Sequence, residues 1–165
     1  MAAIETIQQG EAHPSLSHHE QVEVGRELQA SLAELINLAL LGKHLHWSVV
    51  GTNFRSVHLE LDDFVATWSL LADLVAERAV AVGYWPDGQA KTLAETGELT
   101  EVTVGPTPDR EVIQVLTHRL VEAVANCRTR ITSVGAHDLA SQDVLIKVAL
   151  ALEEQLWMVR AQRDR

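Results

Sequence analysis

The chain is predicted to fold as an all-α four-helix bundle with a long crossover between its second and third long helices. Three observations point there. Apolar residues recur at helical spacing through four long stretches. No sustained period-two alternation and no internal repeat interrupts them. The segment from Tyr84 to Pro108 holds three of the chain's four prolines, a connection long enough to cross a bundle end to end.

Each element has a local cause. Met1 to about Leu16, with Gly10 and Pro14, is expected to form a tail, and residues 17–165 the bundle with a short C-terminal tail. Ser17 followed three residues later by Glu20 reads as a capping box opening the first helix. Val24, Leu28, Leu32, Leu35, Leu38 and Leu41 then carry the periodicity towards Val49. Gly51-Thr52-Asn53 breaks it, and Asn53 is expected to cap a second helix ending near Gly83. The crossover has room for a short helix. Thr107-Pro108 reads as an N-cap with proline in the first turn of the third helix, which should end near Gly135. Ser141 is the expected cap of the fourth.

At 165 residues, 47% hydrophobic and 22% charged, the chain is large enough for one domain with a sizeable core. The net charge of −10 argues against generic nucleic-acid binding and suits a protein that attracts cations. The single cysteine, Cys127, rules out an intrachain disulfide and favours a reducing, cytoplasmic setting; it reads as a small buried hydrophobe. No Lys or Arg precedes Arg26 and no apolar leader follows the start, so no secretory signal is expected. The longest apolar run, Leu35 to Leu41, is too short to span a bilayer.

The second helix carries the chemistry. Leu61, Val65, Trp68, Ala72, Val75, Ala79 and Val82 form its core stripe. His58 and Asp62, and again Asp73 and Glu77, stand four residues apart, so each pair projects from one side of the helix. At ~100° per residue the four lie on a flank roughly 110° from the core stripe. A single pair of this kind is usually a solvated flank or a helix ion pair. Asp62 and Asp73 are separated by about 16 Å along the axis at ~1.5 Å per residue. Transition-metal bonds are near ~2.1 Å, so the two pairs cannot share an ion within one straight helix. The pairs are, however, symmetric about a point between Thr67 and Trp68. A second, antiparallel copy would bring His58 to Glu77 and Asp62 to Asp73, with the small Ala66 and Ser69 at the midpoint. Two identical sites would result, each drawn from both chains, and His46 on the preceding helix could complete each one. Two imidazoles with carboxylates suit iron, manganese or zinc. Glu-x-x-His is absent, which excludes the intra-bundle di-iron arrangement.

Lys43-His44-Leu45-His46-Trp47-Ser48-Val49-Val50-Gly51-Thr52-Asn53-Phe54, then His58-Leu59-Glu60-Leu61-Asp62 and Asp73 with Glu77-Arg78, closely resemble the Dps family, the ferritin-like DNA-binding proteins from starved cells or mini-ferritins. The resemblance runs from about Ser17 to Arg160 and includes Ser141-Gln142-Asp143 and Leu156-Trp157. It implies a ferritin-like fold assembled as a hollow dodecamer, a homo-oligomer with two-metal iron centres at its dimer interfaces. By position, His46, His58 and Asp62 would come from one chain and Asp73 and Glu77 from its neighbour. It further implies a ferroxidase that oxidises Fe²⁺, preferably with hydrogen peroxide, and stores Fe³⁺ as mineral in the cavity, protecting against oxidative damage. Lys43 and Trp47 would support the centre, Trp47 as a sink for stray oxidising equivalents, although by itself Trp47 reads first as a packing residue. Asp143 matches a position lining the three-fold pores for iron entry, and Asp138 is placed beside it; as a bare sequence feature, Asp143 is a first-turn carboxylate favouring a helix N-terminus.

DNA binding in this family often uses Lys/Arg-rich tails. Here the N-terminal tail carries Glu5 and Glu11 and no basic residue, and the C-terminus offers only Arg160, Arg163 and Arg165 with Asp164. DNA binding is therefore expected to be weak or absent, and a nucleoid association secondary. A DNA-compacting protein and a metal-buffering structural oligomer are the competing readings. His13, His18 and His19 are expected to be solvated, with a secondary metal the alternative; His44, His118 and His137 have no visible partner set.

Overall fold

The structure, a computed structural model, describes residues 10–96 and 102–162. Its elements are α1 (His18–Ser48), β1 (Val49–Val50), α2 (Phe54–Ala81), α3 (Ala90–Thr96), β2 (Thr107–Pro108), α4 (Asp109–Gly135) and α5 (Leu139–Ala161). Four long helices form the bundle: α1 packs along α2, α4 along α5, and the pairs meet through α1 on α4 and α2 on α5. The crossover contains the short helix α3 that the sequence has room for. Residues 1–9, with Glu5, and the terminal Arg163, Asp164 and Arg165 lie outside the described residues.

The capping box at α1 is present: Ser17 Oγ accepts from the Glu20 N–H, and Glu20 Oε2 accepts from the Ser17 N–H at 2.8 Å. At α2 the expected residue stands at the N-cap but its side chain does not bond; at α4 and α5 the cap residue differs from expectation. Asn53 occupies the N-cap of α2 without a side-chain cap bond. Asp109, arriving on α4, accepts from the Asn53 N–H at 2.7 Å instead. Thr107 is not the cap of α4. It pairs in parallel with Val49, Pro108 pairs with Val50, and Pro108 itself stands at the N-cap. Ser141 does not cap α5; Asp138 does, in extended conformation, accepting from the Ala140 and Ser141 N–H groups. The chain leaves α4 through a turn in which the Asp138 N–H bonds Val134 O. Asp138, extended and immediately before the first helical residue Leu139, stands where the first N–H groups of α5 need an acceptor, and aspartate caps as well as serine.

The core confirms the stripe on α2. Leu61, Trp68, Ala72, Val75, Ala79 and Val82 are buried, joined by Val57 and Phe64, while Val65 is only partly buried. The largest fully buried side chain among the described residues, Trp68, donates its indole N–H to Gln155 Oε1 on α5 at 2.7 Å, so its one polar atom is satisfied across the bundle. Cys127 is buried, its S–H donating to Leu145 O, and burial pushes its thiol up to about 11. That is an inert thiol, as expected.

Several carboxylates are held below their ordinary range by local bonds: Asp109 by the Asn53 N–H, Glu20 by Ser17, and Asp62 by Lys43. A depressed native pKa adds stability that is complete above the unfolded value of about 4 and is lost as pH falls through the native one. Thermal midpoints at fixed ionic strength and protein concentration are therefore expected to hold from neutrality to about pH 5 and fall below about pH 4. The gap between wild type and Asp109→Asn should close over that fall. A gap that stays constant down to about pH 2 would exclude the Asp109 contribution.

Candidate metal centre

His46 stands in the last turn of α1 and His58 in the first turns of α2. The short turn through Gly51 folds these two helix ends against each other. Gly51 has φ of +128°, and a Cβ there would collide with the Asp109 carboxylate, so the turn needs glycine both for its backbone and for the approach of Asp109 to the Asn53 N–H at the start of α2. His46, His58 and Asp62 then offer ligand atoms that all lie within 4.8 Å of one another, the only such three-donor group among the described residues.

The two imidazoles fix each other. His46 Nδ1 lies 2.9 Å from His58 O, and His58 Nδ1 lies 2.9 Å from His46 O. A carbonyl can only accept, so each Nδ1 carries the hydrogen and donates, leaving each Nε2 with its lone pair. The rings stack at 3.6 Å between centroids, 20° apart in plane, and Phe54 tilts against His58 at 5.0 Å. This is the arrangement by which metal-binding histidines have their tautomer and direction set by a second hydrogen bond.

Asp62 accepts from Lys43 Nζ at 2.6 Å, and Oδ1 is 3.4 Å from His46 Nδ1. The Lys43 bond is the main reason its carboxyl lies below the usual range. Asp62 is thus anionic at neutral pH and aimed at the imidazoles. His46 is 8% exposed, whereas Lys43 and Asp62 are close to half exposed. The site is open on one side.

Asp73 and Glu77 are exposed on α2 and outside the three-donor group, as the axial separation requires within one chain. Ala66 and Ser69 are also exposed, so the flank at the helix midpoint is free of the chain's own packing. Trp47 does not pack inside the subunit: it is 74% exposed, next to the buried His46. Asp143 is exposed and paired with Lys147 at 2.8 Å. Asp138 is engaged differently. Burial raises its carboxyl, but the bonds from Ser141 and Arg78, the latter at 2.6 Å, outweigh this and hold it low. Among the other histidines, His13 accepts from the Ser15 N–H and His118 approaches Glu122 at 3.7 Å; neither belongs to a three-donor group among the described residues. The backbone locks on His46 and His58 were not visible in the sequence, because their partners are main-chain oxygens that residue identity does not mark.

Four antiparallel helices with a long crossover, and a His/Asp half-site where the first two helices meet, define a ferritin-like protein; the family model for the ferritin-like domain matches residues 26–165. The DNA protection during starvation protein of Mycolicibacterium smegmatis is 34% identical over 152 residues, covering 90% of this chain and 81% of that one. DNA protection during starvation protein 2 of Deinococcus radiodurans is 34% identical over 134 residues, covering 81% of this chain; the match spans 56% of the Deinococcus protein's own length. The solved structure of Mycobacterium smegmatis Dps in its tetragonal form superposes with a TM-score of 0.90 at 32% identity, covering 94% of each chain. The chain belongs to the Dps family of ferritin-like proteins.

Proposed function

We propose that the protein is a ferroxidase and iron store. It oxidises Fe²⁺, with hydrogen peroxide as the preferred oxidant, at two-metal centres between subunits of a dodecamer, and deposits Fe³⁺ in the enclosed cavity. The observation that carries this reading is the convergence of His46, His58 and Asp62, with both Nδ1 atoms already occupied by backbone carbonyls. Two free Nε2 lone pairs and one anionic carboxylate form half of a transition-metal site. Asp73 and Glu77 of a second subunit supply the rest, the two α2 helices approaching over Ala66 and Ser69. The same residue types accept manganese or zinc, and iron is preferred here because of the family.

The chemistry follows from pairing the ions. Hydrogen peroxide needs two electrons to break its O–O bond cleanly. Two adjacent Fe²⁺ ions each give one, so the oxygen atoms leave as hydroxide or water and no hydroxyl radical is released. Lys43 balances Asp62 before metal enters, and Trp47, exposed beside His46, is placed to intercept a stray oxidising equivalent. Asp143 is assigned to the iron-entry pore with Asp138 beside it, where Arg78 and the start of α5 fix the Asp138 carboxylate. The whole operates in the cytoplasm; among the described residues no helix is long and apolar enough to cross a membrane.

The test is anaerobic addition of Fe²⁺ and then peroxide to the purified protein. About one peroxide is expected to be consumed for every two Fe²⁺, with the iron remaining soluble in the particle. His58→Ala should slow oxidation by at least about 100-fold, more than the loss of an outer hydrogen-bond partner costs. Unchanged kinetics in that variant would remove the proposal. DNA binding is expected to be weak or absent at about 150 mM salt, because the net charge of −10 per chain opposes the phosphate backbone. A gel shift with tight binding at that salt would show the opposite.

A further inference from the structure

We propose that Gly42 and Trp68 are positioning residues for the His46/His58/Asp62 half-site: the absence of a side chain at Gly42, pressed against an immobilised indole, sets the distance between α1 and α2 where the donors meet. The inference rests on the metal-binding reading of that half-site given above.

Gly42 is buried inside α1, roughly two turns from its C-terminal end, where alanine would be the better helix former. It has no unusual backbone angle to explain it. What explains it is space. A Cβ at Gly42 would lie 2.7 Å from Trp68 Cζ3 and 2.7 Å from Val65 Cγ2, closer than carbon atoms approach in packed proteins. The indole has nowhere to retreat. Trp68 is fully buried, its N–H is tied to the buried Gln155 on α5 at 2.7 Å, and Phe64 packs on it at 5.9 Å between ring centroids. With the ring held, α1 itself must yield to any added bulk.

The contact sits beside the donors. Gly42 is one turn before His46 on the same face of α1, and its neighbour Lys43 bonds Asp62. On α2, Val65 lies three residues after Asp62. Restoring ordinary carbon contact would move α1 from α2 by roughly 1 Å, beyond the ~0.5 Å within which a site must be held. The two reciprocal 2.9 Å histidine–carbonyl bonds would stretch with it.

The test uses Co²⁺ alone, titrated under argon into the full-length assembled protein, with the visible cobalt spectrum and thermal midpoint read together. Gly42→Ala is expected to weaken Co²⁺ binding about 10–100-fold, the range for disturbing the groups that orient metal ligands. Gly42→Ala/Trp68→Phe removes the ring carbon in the way, so affinity should recover even as the midpoint falls further. Leu120→Ala, a core truncation on α4, which carries no donor, should lower the midpoint and leave binding unchanged. Gln155→Leu, which unties the indole without adding bulk, should weaken binding on its own, and this arm decides the matter if Gly42→Ala does not fold. Affinity that follows the midpoint through all these variants, or wild-type binding in both Gly42→Ala and Gln155→Leu, overturns the proposal. Wild-type protein that binds no Co²⁺, or binds it equally well in His58→Ala, overturns the metal-site reading and this inference with it.

Discussion

Reassembling His58→Ala subunits together with Asp73→Ala/Glu77→Ala subunits should restore about a quarter of the wild-type oxidation sites, although each variant alone is inactive. The arithmetic follows from a two-fold interface. In the proposed centre, His46, His58 and Asp62 come from one chain and Asp73 and Glu77 from the other. At equal mixing, half of the dimers pair unlike chains. In such a dimer one centre receives intact imidazoles and intact carboxylates, and the other receives both defects. Two separately dead populations therefore generate working sites only if the donors come from different subunits. The measurement is the initial rate of peroxide-driven Fe²⁺ oxidation after joint refolding, compared with each variant refolded alone. A mixture no faster than the average of its parts would place every donor on one chain, which the ~16 Å separation along α2 opposes. The variants lack only polar or charged side chains at exposed or half-buried positions, so they should fold.

Glu34→Ala should destabilise the subunit by about 2 kcal/mol, between the small cost of losing an exposed pair and the cost of stranding one partner of a fully buried one. Glu34 joins α1 to α4 with both of its oxygens. Oε2 meets Arg130 Nη1 at 2.5 Å, and Oε1 accepts from Asn126 at 2.9 Å. The two charged side chains are 11% and 15% exposed. Without Glu34 the guanidinium keeps, among the described residues, Glu27 at 4.0 Å, which moderates the expected loss. Urea unfolding at fixed protein concentration measures it, with Glu34→Gln as the milder control. A loss below about 1 kcal/mol would mean the pair behaves as a solvated surface bridge.

The helices were accessible to sequence reading because their causes are local. A capping box and a stripe repeating every three to four residues are complete within a few turns, and both stand in the structure at Ser17–Glu20 and along Leu61–Val82. Helix starts were less readable where the cap comes from elsewhere. Nothing near Asn53 announces that Asp109, on another helix, accepts its N–H, and nothing near Thr107 announces a pairing with Val49. The same division runs through the metal centre. His58 and Asp62 are neighbours by helical spacing alone, whereas His46 joins them only because the Gly51 turn brings α1 back against α2.

From sequence alone came the bundle, the candidate half-site residues on α2 and the reason to expect a partner beside them, since these depend on rise per residue, side-chain type and charge. The tertiary structure alone decided how α1 meets α2: the carbonyls that set both histidine tautomers, the lysine that holds Asp62 anionic, and the indole that limits how closely the helices approach. Those are contacts of main-chain oxygens, rings and a charged pair that packing brings together from different helices. Residue order along a helix contains its own periodicity, but not the angle and distance at which a second helix crosses it.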